Sequence, residues 1–236
     1  MKETTKEQGG AVMDATVPLQ EVAPAIFLEA HGLGLKTLMG YAYRDIDLLL
    51  GPGQILAVRG HNGSGKTALL LTLAGRMSYT EGTLRVGEFQ LPRQRGKVQK
   101  TVGLGLFEQL NGLQESLKVS YAVGAEFELY GRRPGKGAVL DYLKQWHLFD
   151  IAQMLVKDLT AEKRVQLGVA LACVGNPQMI VIDDIEDQLT KTQSEEIMAT
   201  LVDLAHTRKM AIAVGCIERD LATMADGVCY LEKEGA

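Results

Sequence analysis

One octapeptide restricts the possible folds of this chain more than any other feature. Residues 60–67 read GHNGSGKT and fit the pattern G-x-x-x-x-G-K-[ST] at every fixed position. The apolar run QILAVRG precedes this segment and ALLLTLAGRM follows it, which predicts a buried strand, a loop and a helix in that order. Glycines allow positive φ angles and let backbone N–H groups surround phosphate oxygens. The sequence therefore predicts a phosphate-binding loop.

The residues of this loop have separate predicted roles. Lys66 is expected to contact the β- and γ-phosphates of a nucleotide, and the Thr67 hydroxyl is expected to ligate Mg²⁺. The N-terminus of the following helix adds a partial positive charge. A chance match in a glycine-rich turn is the alternative, and the order of strand, loop and helix disfavours it. The predicted nucleotide-binding residues are Gly60, His61, Asn62, Gly63, Ser64, Gly65, Lys66 and Thr67.

A pair of acidic residues follows another apolar run. Residues 179–184 read MIVIDD, and a buried strand seldom ends in two carboxylates unless a cation lies nearby. Asp183 is therefore predicted to complete a Mg²⁺ site with Thr67, although it could instead cap the following turn. Asp184 is expected to have a separate role.

Predicted strands and helices alternate along most of the chain, which indicates an α/β domain with a parallel sheet. Residues 1–24 are polar and aperiodic, and are predicted to be a mobile tail, with a partly ordered arm as the alternative. The domain is predicted to span 25–236, with a helical lobe at about 112–160. The basic stretch 93–100 is interpreted as a solvated loop rather than a membrane-binding patch. Trp146 and Phe149 are expected to be core residues.

The composition disfavours several functional classes. A net charge of −4 argues against a general nucleic-acid-binding protein. The 3 cysteines form no CxxC pair, which suits a reducing cytosol and argues against a disulfide framework or a zinc site. No apolar run approaches the roughly 18–20 residues needed to span a bilayer, and the first residues contain no secretion signal. A soluble cytoplasmic protein is expected.

Four features together resemble the ATP-binding cassette (ABC) domain of ABC transporters, from about residue 26 to the end. Two are GHNGSGKT and MIVIDD. The third is LTAEKRVQLGVALACVGNP at 159–177, which matches the family's LSGGQ signature, the helix behind it and the G-[ND]-P turn at unbroken spacing. The fourth, DLATMADGVCYLEK, is similar to the closing helix and strand. The resemblance implies a P-loop NTPase with a mostly parallel sheet, an antiparallel β subdomain and an inserted helical lobe.

The resemblance also implies ATP and Mg²⁺ as ligands, and hydrolysis by in-line attack of water on the γ-phosphate. Gln109 falls at the family's Q-loop position, where it would reach Mg²⁺ and the attacking water. Asp184 falls where the family usually has a glutamate that orients this water. The implied catalytic residues are Asp184, Gln109 and Lys66, and the implied metal ligands are Thr67, Gln109 and Asp183.

Several positions depart from the family pattern. Asp184 is one methylene shorter than glutamate, so its oxygens are expected to fall roughly 1–1.5 Å short, which can cost on the order of a hundredfold in rate. In the signature, Thr160 replaces serine, Ala161 and Glu162 replace the glycines, and Lys163 replaces glutamine. Glu162 would face the γ-phosphate of an ATP held by a second subunit, unless it turns away or Lys163 or Arg164 neutralises it.

Two further departures affect the position of the switch histidine and the position of the aromatic residue that stacks on the adenine base. Cys216 occupies the position of the switch histidine, and its thiol is a weak hydrogen-bond donor. We interpret it as an ordinary buried cysteine. The position of the adenine-stacking aromatic is aliphatic or basic. Tyr41 or Tyr43 could substitute, but both are expected to pack instead.

These observations predict a slowly ATP-hydrolysing soluble subunit that drives a transmembrane protein on a separate chain, at the inner face of the cell membrane. A second ATP-binding subunit, identical or different, is the other predicted partner, and no nucleic acid is expected. The alternative is a nucleotide-gated regulatory or structural partner with negligible hydrolysis, which the motif departures favour. A small P-loop kinase is disfavoured because it has no segment equivalent to 159–177.

Overall fold

A computed structural model describes residues 25–107 and 110–232. The predicted tail at 1–24 lies outside these residues, and its mobility stays a prediction. The strands are β1 (Leu28–Thr37), β2 (Gly40–Leu50), β3 (Ile55–Arg59), β4 (Glu81–Val86), β5 (Phe89–Leu91), β6 (Val102–Leu104), β7 (Met179–Ile182), β8 (Ala211–Cys216) and β9 (Gly227–Tyr230). The α-helices are α1 (Lys66–Leu73), α2 (Arg95–Thr101), α3 (Val119–Leu129), α4 (Lys136–Gln145), α5 (Ala161–Ala172), α6 (Lys191–Arg208) and α7 (Arg219–Ala222).

A parallel sheet carries the predicted site. Its order is β6-β7-β8-β3-β9, and each neighbouring pair is parallel. Side chains alternate between the faces of a strand, so Val181 packs on one side with α1 while Ile180 packs on the other with α6. Both faces are covered, which explains the continuous apolar runs in the sequence. The carboxyl ends of β3, β7 and β8 therefore meet at one edge.

An antiparallel sheet packs against the α1 side of this core. Its order is β2-β1-β4-β5, and β1 pairs with both β2 and β4. Inward side chains such as Leu28 and Leu84 are fully buried in the cluster that also contains Leu69 and Leu70 of α1. Burial of each such side chain contributes about 1.5–3 kcal/mol. The antiparallel sheet is thus fixed to the helix that follows the glycine-rich loop.

Helices α3 and α4 lie between β6 and β7 in the chain and share a separate cluster with α5. Val123, Leu143, Leu148 and Leu167 are all buried there. The predicted fold class, with a parallel sheet, an antiparallel β subdomain and an inserted helical lobe, is confirmed. Among the described residues, no helix is both long and apolar enough to cross a membrane.

Local structure differs from the sequence prediction at three places. The basic stretch 93–100 is not a loop throughout, because Arg95–Thr101 forms α2 and buries Val98. Within the predicted helical lobe, the stretch DIAQMLV at 150–156 forms no α-helix and contains parts of two 3₁₀ turns, Phe149–Ile151 and Val156–Asp158. Phe149 is 50% exposed, so its expected core position is wrong.

Trp146 packs against two apolar clusters, one that contains residues of α4 and one that contains residues of α6. It therefore connects the helical lobe to the core beside α6. The guanidinium of Arg208, at the end of α6, lies 4.7 Å from the centroid of its ring. Arg208→Ala is expected to destabilise the protein by about 0.5–1 kcal/mol, because it removes this cation–π contact. Urea unfolding followed by fluorescence measures this, since Trp146 is the only tryptophan.

Arg208→Lys is the control for this experiment, because it keeps the charge near the helix C-terminus but lacks the planar group that stacks on the ring. An intermediate stability for Arg208→Lys is expected. Equal stability of the wild type and Arg208→Ala would show that the ring contact contributes nothing.

Candidate functional site

The glycine-rich loop connects β3 to α1 and has the backbone conformation that its sequence predicts. Gly63 and Gly65 have φ angles of 81° and 95°, in the left-handed region that favours glycine. A Cβ atom at Gly65 would also collide with the carbonyl group of Ala42 in β2. Glycine at position 65 is therefore required by both conformation and space, and β2 supports the loop from outside.

A cleft of about 370 Å³ lies at this loop and is lined by Asn62, Gly63, Gly65, Lys66, Thr67, Ala68 and Asp184. A larger depression, about 550 Å³, is lined by residues that include Thr101 and Gln178. It lies at the amino ends of β6 and β7 and contains no predicted site residue. We therefore assign the candidate site to the smaller cleft, where the predicted residues meet.

Lys66 provides the positive charge of the cleft. Its side chain is only 4% exposed, and its Nζ lies 3.7 Å from Asp184 Oδ1 and 3.3 Å from the His61 carbonyl oxygen, to which it donates. A buried ammonium group is unfavourable unless it is well paired. The hydroxyl of Ser64 is also buried and has no partner within the described residues. These donors fit a phosphate group.

Asp183 and Thr67 form the second part of the cleft. The Thr67 hydroxyl donates to Asp183 Oδ2, and Asp183 Oδ1 accepts from the Asp184 N–H at 3.1 Å. The pKa of Asp183 is raised above its usual value, chiefly by burial. The Thr67 hydrogen bond opposes this shift, and the nearby Asp184 charge adds to it. A hydroxyl and a carboxylate at one point fit Mg²⁺, which takes few protein ligands and completes its shell with water and phosphate oxygens.

The described residues contain no cluster of three or more His, Cys, Asp or Glu side chains that could hold a metal. The ligand pair of Thr67 and Asp183 is therefore suited to a cation that arrives with a phosphate ligand, and not to a metal held by protein alone. Gln109, the third predicted metal ligand and a predicted catalytic residue, lies outside the described residues. Its role stays a prediction.

Asp184 lies in the cleft with an unusual backbone conformation. Its φ angle is 39°, a left-handed value that costs free energy for a residue other than glycine. Its side chain is 48% exposed, so the carboxylate can reach both solvent and Lys66. The structure brings together Lys66, Thr67, Asp183 and Asp184, while their catalytic and metal-binding roles remain predictions.

The end of β8 completes this edge of the sheet. Cys216 is fully buried in the apolar cluster with Val214, and burial raises the pKa of its thiol to about 12. The structure thus agrees with its interpretation as an ordinary buried cysteine. The carbonyl oxygen of Cys216 accepts from the Gly60 N–H at 3.2 Å, which ties this segment to the start of the glycine-rich loop.

Glu186 is a residue of this region that the sequence did not identify. Its carboxylate accepts hydrogen bonds from the N–H groups of Ile217 at 2.5 Å and Glu218 at 3.0 Å. The only signal in the sequence is a third acidic residue in IDDIED, and its partners lie 31 and 32 positions away. No local pattern predicts such a contact.

The signature region lies at the start of α5 and does not line the cleft. Thr160 is the N-cap, and its hydroxyl accepts from the Lys163 N–H at 3.3 Å. Glu162 accepts from the Gln166 side chain at 3.0 Å. Arg164 pairs with Glu115 at 3.3 Å, so it does not neutralise Glu162 as the sequence suggested it could.

The two tyrosines proposed as substitutes for the adenine-stacking aromatic differ in burial. Tyr43 is buried, and its hydroxyl donates to the Thr72 hydroxyl at 2.7 Å, so it packs as expected. Tyr41 is partly buried, donates to Glu81 at 2.7 Å, and has the Lys36 ammonium 5.6 Å from its ring centroid. Tyr41 neighbours Ala42, the residue that contacts Gly65, and its contacts agree with the packing role that was expected for it.

A family model described as "ABC transporter" matches residues 43–186, which is more than half of the chain. The chain belongs to the ABC transporter family. The resemblance that the motifs predicted is thereby confirmed.

Individual relatives are distant but extend over most of the chain. The "Energy-coupling factor transporter ATP-binding protein EcfA1" of Mycoplasma mobile is 24% identical over 211 residues, which cover 88% of this chain and 77% of that protein. The "ABC transporter ATP-binding protein NatA" of Bacillus subtilis is 24% identical over 80% of this chain and 78% of its own length.

Solved structures show the same fold. The cbiO1 protein from Clostridium perfringens, part of the ABC transporter complex cbiONQ, superposes with a TM-score of 0.74 at 19% identity, covering 88% of this chain and 85% of that one. A dimeric ATP-binding cassette in a post-hydrolysis state with ADP and Pi gives a TM-score of 0.73 at 21% identity, covering 87% and 94%.

The buried thiols generate a prediction about chemical reactivity and pH. Burial raises the pKa of Cys173 and Cys216 to about 12 and that of Cys229 to about 11. At pH 8 the native protein is expected to resist a disulfide reagent such as DTNB, while all 3 thiols react in guanidinium. Rapid labelling of Cys216 in the native state would contradict its burial.

The same shifts predict lower stability in alkali. The thiol pKa is higher in the folded than in the unfolded protein, so the protonated thiol contributes to folding stability. This contribution is complete below the unfolded value of about 9.0 and is lost as the pH rises towards 12. The melting temperature is therefore expected to fall between pH 9 and pH 11, and Cys216→Ala is expected to reduce that fall. An unchanged pH dependence in Cys216→Ala would mean that this thiol does not contribute.

Proposed function

We propose that this chain is the ATP-binding and ATP-hydrolysing subunit of an ABC transporter, and that it drives a membrane protein on a separate chain. The observation that carries the proposal is the cleft at the glycine-rich loop of a member of this family, where Asp184 lies beside Lys66 and the Thr67 hydroxyl contacts Asp183. The buried ammonium and the loop amides bind the phosphates. The hydroxyl of Thr67 and the carboxylate of Asp183 hold Mg²⁺.

Hydrolysis requires a water molecule in line with the γ-phosphate. Bound Mg²⁺ supplies neutralisation of the charge on the transferred phosphoryl oxygens. Lys66 adds to this stabilisation, and the Asp184 carboxylate orients the water and accepts its proton. Asp184 is one methylene shorter than glutamate, and its carboxylate lies 3.7 Å from the Lys66 ammonium, so it extends less far towards a water molecule at the γ-phosphate. We therefore expect slow turnover.

The proposed partners are a membrane protein and a second ATP-binding subunit, and relatives and solved structures of the family support both. Relatives named as transporter ATP-binding proteins, and the cbiO1 structure of a transporter complex, support a membrane partner and a position at the inner face of the membrane. The dimeric cassette structure supports a second ATP-binding subunit. In such a dimer the α5 N-terminus of one subunit faces the nucleotide of the other, so Glu162 would lie near an anion.

A nucleotide-gated partner with negligible hydrolysis is the second candidate. Cys216 is buried and cannot replace a histidine at the γ-phosphate, and Glu162 has no cationic partner among the ion pairs of the described residues. Both features weaken γ-phosphate chemistry while the loop itself is intact. Pairing with a different, more active subunit would be compatible with this arrangement.

Phosphate release from Mg·ATP tests the proposed hydrolysis. The wild type is expected to release phosphate slowly but above background, and Lys66→Ala is expected to abolish the activity. Asp184→Glu is expected to accelerate it about tenfold or more, because the added methylene extends the carboxylate towards the water. Asp184→Asn, which keeps the size but removes the base, is the matched control and is expected to lose activity.

Two results would contradict this proposal. Turnover in Asp184→Glu but not in the wild type would favour the nucleotide-gated partner. A wild-type rate that Lys66→Ala leaves unchanged would show that another site or a contaminant hydrolyses the ATP.

The charge on Glu162 generates a prediction about dimers. At an effective dielectric near 20, like charges several ångströms apart repel by a few kcal/mol, so Glu162→Gln is expected to strengthen Mg·ATP-dependent self-association about tenfold or more. Analytical ultracentrifugation of Asp184→Asn, with and without Glu162→Gln, measures this. Glu196→Gln removes an equal charge from an exposed position of α6 and should have no effect. Equal association with and without Glu162→Gln would reject the repulsion.

A further inference from the structure

Three segments approach one another at the carboxyl edge of the parallel sheet. They are residues 59–60 at the end of β3 and the start of the glycine-rich loop, the acid pair Asp183 and Asp184, and residues 215–218 at the end of β8 and just after it. A Cβ atom at Gly215 would come within 2.6 Å of Asp183 Oδ1, and the Gly215 carbonyl accepts from the Ile185 N–H at 3.4 Å. The acid pair and the end of β8 are therefore in direct contact.

Two charged side chains hold Ile217 in place between these segments. The Glu186 carboxylate accepts from the Ile217 N–H at 2.5 Å and from the Glu218 N–H at 3.0 Å. From the other side, Arg59 Nε donates to the Ile217 carbonyl oxygen at 2.9 Å. Hydrogen bonds with an ionised partner are stronger than neutral ones. The peptide groups on both sides of Ile217 are thus fixed by Arg59, which precedes the glycine-rich loop, and by Glu186, which follows the acid pair.

An ion pair joins the neighbouring helices α6 and α7. Lys191, at the start of α6, lies 2.6 Å from Asp220 in α7. This pair is exposed, so it contributes little by itself. Glu186 is partly buried, and its two hydrogen bonds link the 183–190 segment to Ile217 and Glu218, the residues that follow β8.

We propose that Glu186 is a positioning residue: its carboxylate clamps Ile217 and Glu218 and so fixes the segment after β8 against Asp183 and Asp184. The inference rests on the proposed function for its effect on ATP turnover, but the clamp itself does not. The Cys216 thiol is buried, so residues 215–216 contact the glycine-rich loop and the residues after β7 through their backbone carbonyl groups. The clamp also fixes Asp184, whose left-handed backbone lies two residues before Glu186.

Hydrogen exchange without nucleotide tests the clamp. Glu186→Gln keeps the side-chain size but replaces one accepting oxygen with an NH₂ group, so the two amides cannot both remain bonded. Their exchange, measured by mass spectrometry with fragmentation or by NMR, is expected to become about tenfold faster or more. Asp187→Asn removes the same charge from the neighbouring exposed residue and is expected to leave their exchange unchanged.

ATP turnover tests the positioning role. Glu186→Gln is expected to lower kcat about tenfold with KM within about twofold, because the loop and Lys66 still bind phosphate while Asp184 is less well fixed. Glu186→Asp, which retains the charge, is expected to recover part of the loss. The melting temperature of each variant separates this effect from general destabilisation.

Each outcome decides the proposal. Unchanged exchange at Ile217 and Glu218 in Glu186→Gln overturns the clamp. Faster exchange with unchanged kcat overturns the positioning role, and so does an increase in KM with no change in kcat. If the wild type neither binds nor hydrolyses Mg·ATP, the proposed function and the positioning role both fail, while the exchange rates still establish or overturn the clamp.

Discussion

The burial of the Lys66 ammonium group is the constraint on which the rest of this site depends. The Lys66 ammonium is 4% exposed, and its one ion pair among the described residues is with Asp184 at 3.7 Å. Such loose pairing of a buried charge is unfavourable. The neighbouring loop has no acidic side chain, and it contains the buried Ser64 hydroxyl, which has no partner within the described residues. The sheet, α1 and β2 together hold this group where an additional anion stabilises it. A phosphate-binding function follows from that electrostatic imbalance.

The parallel sheet explains how distant parts of the sequence reach this cation. The carboxyl ends of β3, β7 and β8 lie side by side, so Gly60, Asp183 and Cys216 become neighbours although more than 30 residues separate each from the next. Contacts between main-chain groups then join the segments, such as the Gly60 N–H with the Cys216 carbonyl. Residues that are predicted to be catalytic and depart from the family pattern, such as Asp184, are thus held by a scaffold with the family's fold.

Features encoded locally were predictable from the sequence, whereas features that depend on tertiary contacts were not. The glycine-rich loop and the strand MIVI carry their own signals, since glycine conformation and continuous apolar runs are local properties. Helix α2 was missed because its formation depends on burying Val98, which basic neighbours conceal in the sequence. The contact from Glu186 to Ile217 spans 31 positions. The burial of Cys216 was expected, because it ends an apolar strand.

Isothermal titration calorimetry with Mg·ATP most directly tests the claim that this cleft binds a nucleotide phosphate chain. The account predicts saturable heat with one site per chain, and at least about tenfold weaker binding for Lys66→Ala, because a hydrogen-bonded charge pair is lost. No heat at millimolar Mg·ATP, or equal affinity in the wild type and Lys66→Ala, would contradict it.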